Sequence, residues 1–363
     1  MERKAKNIGL VQVLLLDSFD LKQHYNIDHI NYKYDYLSIV ENSILVPYDE
    51  NVKKGDYVRL KNNVDEYFGF ISSIAVDETL NGYANIGFKP FLSLFDTKVL
   101  FDISLQGGAT SLEQTIANMI TLNWISNADT DQNISGLEVD TISTTSDWTF
   151  YLTADEGQTS AIIDFYQSII KGSLTKYNVG LYVTPNFTTH KILVKIGVKA
   201  ANQYNIEADL PSILKKNITV NRNKTDINKL IVYDKTDYAS TVTYYLHSDG
   251  TYDTTDSDRI TPVVYSMTSV SAPSGGTFAD AAQEAADKQF GNIKDSNLIE
   301  LTILNDDDLV GARGLEIGQS VNVISNGTAF ESVLTGYERS DTTKLIFGTI
   351  RLDLTKILKE ALE

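Results

Sequence analysis

Two stretches near opposite ends of this 363-residue chain share one pattern. Gly55-Asp56-Tyr57-Val58-Arg59-Leu60 aligns with Gly318-Gln319-Ser320-Val321-Asn322-Val323 at an offset of 318 − 55 = 263 residues. At the same offset, Phe70-Ile71-Ser72-Ser73-Ile74 falls on Val333-Leu334-Thr335-Gly336-Tyr337 without a gap. Once a few loop residues are deleted, Asn85-Ile86-Gly87-Phe88 follows as Leu345-Ile346-Phe347-Gly348. Each copy reads as a glycine turn, a strand of alternating side chains, a loop and two further strands. β-Propensity constrains sequence loosely, so unrelated meanders also align by chance. The ungapped spacing from turn to second strand favours duplication. It makes Gly55 and Gly318 equivalent turn residues, in a backbone conformation closed to β-branched side chains, and Val58 and Val321 equivalent strand residues.

The rest of the chain is read around these two modules. Residues 1–103 carry β-branched and aromatic runs at Ile8–Leu16, Ile39–Val46, Tyr57–Leu60, Tyr67–Val76 and Tyr83–Phe88, separated by turn residues, which predicts a first β-domain, a small barrel or sandwich. Over 104–215 the pattern becomes mixed α/β. Ser111 and Gln114 form a capping box before Leu112, Ile116, Met119 and Ile120. A second helix is expected from Ser160 to Lys171, with Ile162, Phe165, Tyr166, Ile169 and Ile170 inward and Gly172 as its stop. A hairpin follows around Pro185-Asn186-Phe187. Residues 216–353 are expected to form the second β-domain, with a helix inserted at 277–290 that starts at Thr277, and 354–363 a C-terminal helix. The expected fold class is therefore mainly β with α+β insertions, two related β-domains separated by a mixed α/β domain.

Composition narrows the functional classes. Cysteine is absent, which removes disulfide scaffolds, thiolate metal sites and cysteine nucleophiles. Lys plus Arg number 31 against 48 Asp plus Glu, a formal charge of −17, which argues against a protein that coats nucleic acid. Apolar residues at 42% with charged residues at 22% fit a globular chain. The charged start Met1–Lys6 before Ile8–Leu16 has the outline of a secretory leader, but Gln12, Asp17 and Asp20 and the lack of a small-x-small site favour a buried first strand. No run approaches the roughly 20 apolar residues of a membrane span, so a soluble chain without membrane insertion is expected.

Taken with Tyr67-Phe68-Gly69-Phe70-Ile71-Ser72-Ser73-Ile74, Asn228-Lys229-Leu230-Ile231-Val232-Tyr233 and Ile317-Gly318-Gln319-Ser320-Val321, the repeat resembles the tail baseplate hub proteins of bacteriophages. That family includes the N-terminal structural region of tail-associated lysins and the prophage endopeptidase-like tail proteins. The resemblance covers nearly the whole chain and rests on pattern and order. It implies that the two related domains are tube-like β-barrel domains, separated by the mixed α/β domain, and that the chain forms a homotrimer whose six barrels match a sixfold tail tube. It implies partners too: a distal tail or tail tube protein on one side, and a tip spike, fibre or receptor-binding protein on the other. DNA would cross the lumen without specific binding, past an acidic wall that does not retain phosphate. The implied location is the virion tail, after synthesis in the host cytoplasm. Lysin members continue into a peptidase or glycosidase domain. This sequence ends at Glu363, as a stand-alone hub or part of a longer chain, and hydrolase activity is not carried over.

Candidate chemistry is sparse, and no catalytic, cofactor or metal residue is assigned. His24, His29, His190 and His247 are scattered, without the i, i+4 pairing of a helical zinc site. No Gly-x-Ser-x-Gly elbow or phosphate-binding glycine loop occurs. Asp129-x-Asp131-x-Asn133 opens like a calcium loop, but Ile134 stands at the turn glycine and Asp140 at the closing glutamate, which favours a polar loop. Asp306-Asp307-Asp308 and the group Asp253, Asp256 and Asp258 read as acidic turns, and Lys215, Lys216, Arg222, Lys224 and Lys229 as a solvated strand face. Abundant tyrosine, 20 residues, keeps a second reading open: a receptor- or carbohydrate-binding module of a phage tail tip. A hydrolase is the third.

Overall fold

Seven strands occupy the first ninety residues of a computed structural model that describes residues 11–17, 19–27, 30–61, 66–77, 82–102, 110–146, 148, 159–199, 204–221, 227–248, 251–257, 263–272, 277–290, 296–305 and 315–349. They are β1 (Val11–Asp17), β2 (Asp20–Ile27), β3 (Tyr32–Asp35), β4 (Asn42–Pro47), β5 (Tyr57–Lys61), β6 (Glu66–Asp77) and β7 (Tyr83–Pro90). Six of them form one antiparallel sheet in the order β2-β1-β5-β6-β7-β4. Strict alternation orients it. In β4 every second residue is buried, and in β5 Val58 and Leu60 point inward while Lys61 is exposed. Val13, Leu15, Ile44, Val46, Val58, Leu60, Ile71, Ile86 and Phe88 make its core.

The middle of the chain is mixed. After β8 (Lys98–Asp102) comes α1 (Leu112–Ile120), whose first turn is held by Ser111 Oγ accepting from Gln114 N at 3.2 Å. The Gln114 side chain donates to Asn118 Oδ1 rather than back to the cap, so half of the expected box forms. β9 (Leu137–Thr141) follows, then β10 (Ser160–Asp164). The second expected helix starts later than its spacing implied: Ser160–Asp164 pairs antiparallel with β8, and Ile162, opposite Leu100, is 73% exposed. Asp164 then caps a helical stretch, a wide turn over Phe165–Lys171 running into α2 (Gly172–Tyr177). Gly172 stays helical, and Asn178, left-handed at φ 58°, ends the helix in its place. β11 (Gly180–Asn186) and β12 (Lys191–Gly197) form the hairpin, with β9 parallel to β12.

The region expected as one second barrel over 216–353 divides differently. β13 (Tyr204–Glu207) and β14 (Ile213–Asn221) come first. Then β15 (Lys229–Asp234), β16 (Thr241–Leu246), β17 (Tyr252–Asp253), β18 (Tyr265–Val270) and α3 (Phe278–Phe290) lie in a separate compact unit, Thr219–Asn297. Its four strands run β17-β16-β15-β18, and Ala282, Ala286 and Phe290 of α3 pack with Leu230, Val232, Tyr244 and Leu246. Alternation identifies strands but does not say which sheet they join, and here they join their own. The chain then returns to the first unit with β19 (Ser296–Leu304), β20 (Ser320–Ser325), β21 (Thr328–Arg339) and β22 (Thr342–Phe347). The second sheet runs β13-β20-β21-β22-β19-β14, over Ile299, Leu301, Val321, Val323, Leu334, Leu345 and Phe347. The fold is mainly β, with half-barrel sheet and a few helices. The expected helix 354–363 lies outside the described residues.

Candidate functional site: paired turns and a shared strand

The two repeated turns have the same bonds. Gly55 sits at φ 94° and its amide donates to Ile71 O at 2.9 Å; Gly318, at φ 87°, donates to Leu334 O at 2.8 Å. Ile71 N returns to Asp56 O at 2.8 Å, and Leu334 N to Gln319 O at 3.0 Å. Each turn is closed by a 3.1 Å bond, Asp56 N to Lys53 O and Gln319 N to Glu316 O. Even the side-chain cap recurs: Asp56 Oδ2 accepts from Lys53 N, and Gln319 Oε1 from Glu316 N, both at 2.7 Å. Val58 and Val321 are buried in the strands that follow. Positive φ explains why glycine stands at both positions.

The next strands match as well. The ladder of β6 with β7 skips a residue between Ile71 and Ser73, and that of β21 with β22 between Leu334 and Gly336, so the bulge recurs at the repeat offset. Ile71 then faces Phe88, and Leu334 faces Phe347. This corrects the alignment of the third strand by one residue: Phe88 corresponds to Phe347 rather than to Gly348, and Ile86 to Leu345. A one-residue slip exchanges the faces of a strand, and all four of these side chains are buried.

The surroundings of the turns differ. A Cβ on Gly55 would meet nothing within 4 Å, whereas one on Gly318 would fall 2.1 Å from Tyr182 Oη. The Tyr182 ring also lies against Gly180 and beneath Lys199 Nζ, 4.3 Å from its centroid, and Lys199 pairs with Glu316. Burial, with the Glu316 charge adding to it, pushes the Tyr182 phenol above its ordinary range. Asn178 Nδ2 donates to Ser320 Oγ at 3.2 Å, so the residue that ends α2 braces the strand that leaves the second turn. The far end of the same hairpin reaches the first sheet. Arg59 lies over the Phe187 ring at 4.0 Å, Phe187 meets Phe19 and Phe68 edge-on, and His190 stacks on Phe19 at 5.3 Å.

Between the turns lies a strand the sequence reading missed. β3 pairs antiparallel with β21, Tyr34 opposite Tyr337 and Asp35 opposite Gly336, so a segment of the first ninety residues belongs to the second sheet. Tyr34 stacks on Tyr337 with centroids 5.7 Å apart, and Tyr36 N donates to Thr335 O at 2.8 Å. Asn42, at the head of β4, ties β3 back to the first sheet by accepting from Lys33 N at 2.7 Å and donating to Lys33 O at 3.0 Å. The middle region joins through Tyr36, whose Oη accepts from Leu181 N at 2.9 Å and whose carbonyl accepts from Tyr166 Oη at 2.7 Å. The overlooked signal was Tyr32-Lys33-Tyr34-Asp35-Tyr36, a short aromatic alternation.

The remaining candidates do not converge. His24 is exposed on β2, His190 occupies the hairpin tip, and His247 Nε2 lies 3.1 Å from Asp253 Oδ1. Among the described residues no group of three or more His, Cys, Asp or Glu is placed to share a metal ion. Asp129 caps a short turn by accepting from Asp131 N at 3.3 Å, and Asn133 Oδ1 accepts from Asn127 N at 2.8 Å. Lys215 is exposed, Lys216 pairs with Asp209, and Lys229 lies over the Tyr245 ring at 5.6 Å. His29, Arg222, Lys224, Asp258 and Asp306-Asp307-Asp308 lie outside the described residues.

This architecture recurs in solved structures. The tail protein from Neisseria meningitidis MC58 matches over 94% of this chain and 96% of its own, with a TM-score of 0.55 at 12% identity. The fold is that of phage tail proteins. The 43 kDa tail protein of prophage MuSo2 from Shewanella oneidensis matches over 94% and 98% at TM-score 0.54 and 12% identity. A chain of the phage P2 baseplate, in its activated conformation with Ca, matches over 94% and 100% at 0.53 and 10%. No family model matches the sequence, and no curated protein does. No described helix is long and apolar enough to cross a membrane.

Proposed function

We propose that this chain is a structural hub of a phage tail baseplate, with no enzymatic role. In this reading 1–103 and the strands flanking Thr219–Asn297 are duplicated tube modules, and three chains form a ring of six. The tail tube or distal tail protein sits on one side and a spike, fibre or receptor-binding protein on the other. DNA passes through an acidic lumen that does not retain it. The fold it shares with tail and baseplate proteins supports a virion location. The observation that carries the reading is the recurrence of turn, cap and bulge in two sheets that a single strand, β3, joins. Native mass and negative-stain imaging test it: three chains around a pore are expected, and a chain that stays monomeric overturns it.

The second reading, a carbohydrate- or receptor-binding module, draws on the Thr219–Asn297 unit. There Tyr238, Tyr265 and Met267 are exposed on the sheet and its loops. Binding of host cell-wall polysaccharide by a compact monomer would favour it. A lytic band on host-wall zymography would overturn the non-enzymatic assignment.

A further inference from the structure

We infer that the outer edge of β6 at Ser73–Val76 is the seam that a second copy of this chain closes, an inference that rests on the hub reading. At the repeat offset these residues correspond to Gly336–Arg339 of β21. Both segments follow the same bulge and both pair on one side with the third strand of their meander. Their other sides differ. β3 runs along Gly336–Arg339. Along Ser73–Val76 no strand lies among the described residues, because the pairing of β6 with β5 ends at Phe70.

Burial records the difference at three of the four positions, Ile74 and Tyr337 both being half-buried. Gly336 and Arg339 are buried, whereas Ser73 and Val76, their counterparts, are exposed, Val76 by 52%. Glu338 is half-buried, and Ala75 is exposed. Sheet proteins protect open edges with Lys, Pro or inward charge. Ser72-Ser73-Ile74-Ala75-Val76 has no charged side chain of its own, and the Glu41 carboxylate reaches only its first two residues, accepting from Ser72 Oγ at 2.7 Å and Ser73 Oγ at 2.9 Å. Beyond them Ala75 and Val76 are exposed where the described residues leave the ladder unfilled, a surface suited to strand addition.

The occupant follows from the chain's own geometry. Within one chain, a strand from the first module closes this edge of the second. Repeating that relation head to tail sets the second module of one copy beside the first module of the next, and such heterologous contacts either close into a ring or run on as a filament.

Hydrogen exchange of the full-length chain, at concentrations where native mass shows it dissociated and assembled, tests the seam. A peptide spanning 71–77 should gain protection on assembly, while one spanning 334–339 is protected in both states. Val76→Lys should weaken association about tenfold or more while leaving the thermal midpoint unchanged, since the site is exposed. If the chain assembles with no protection at 71–77 and Val76→Lys assembles normally, the seam is wrong and the hub reading stands. If it never associates, both fall.

Discussion

The Tyr182 hydroxyl occupies the space that any side chain on Gly318 would need, 2.1 Å from where a Cβ would lie. Gly55 has the same backbone conformation and open space around it. The two turns are therefore equivalent in bonding and unequal in tolerance. Gly55→Ala should cost only the conformational term, roughly 1–2 kcal/mol. Gly318→Ala adds displacement of a packed ring and should cost about 2–5 kcal/mol in all. Urea unfolding of the two variants checks this; equal losses would mean that Tyr182 moves aside freely.

Tyr182 itself offers a second measurement. Among the described residues its buried hydroxyl has no hydrogen-bond partner, while the ring packs between Gly180 and Gly318. Tyr182→Phe keeps the ring and removes a desolvated polar group. Stability should hold or rise by about 1–2 kcal/mol, and a lowered thermal midpoint would show that the hydroxyl has a role in the native fold.

Local signals were legible where one strand, turn or cap decides the outcome. The alternation of β5 and β20, the positive-φ glycines and the Ser111 cap are each encoded within a few residues. Pairing was not, because it depends on residues far away in sequence. Ile162 suits a helical spacing with Phe165 and Ile169 as well as it suits an alternation with Ala161 and Ile163, and β8 settled the choice in favour of a strand. Tyr32–Asp35 has no glycine or proline beside it, and its partner β21 lies about three hundred residues on. The same non-locality separated β15–β18 from the second sheet.

Asn42 reaches from the first sheet to both backbone groups of Lys33, so its side chain acts as one rung of a ladder between β4 and β3. Asn42→Ala leaves both groups without that partner in a half-buried site. A loss of about 2–3 kcal/mol is expected. Asn42→Asp keeps the acceptor for Lys33 N, loses the donor to Lys33 O, and should fall between wild type and alanine at neutral pH. Hydrogen exchange at Tyr32–Asp35 should accelerate in both variants; unchanged exchange there would mean that β21 alone holds the strand.

Glu113, on the buried side of α1, ties the helix to the segment after β9. Its carboxylate accepts from Ser143 Oγ at 2.6 Å, Thr145 N at 2.7 Å and Thr145 Oγ1 at 2.8 Å. Burial raises its pKa, but the bonds from Ser143, its own backbone amide and Thr145 together outweigh burial and hold the carboxyl below its ordinary 4.5. With the folded value depressed, the unfolded chain binds the proton more readily. The stabilisation is thus fully present above 4.5 and is lost as pH falls from there through the folded value. Glu113→Gln places an amide donor among groups that already donate, and should cost about 1–3 kcal/mol at pH 7. The gap from wild type should narrow in urea titrations as pH drops below 4.5, where wild type loses what the variant never had. A gap that stays constant with pH would show that Glu113 acts through shape alone.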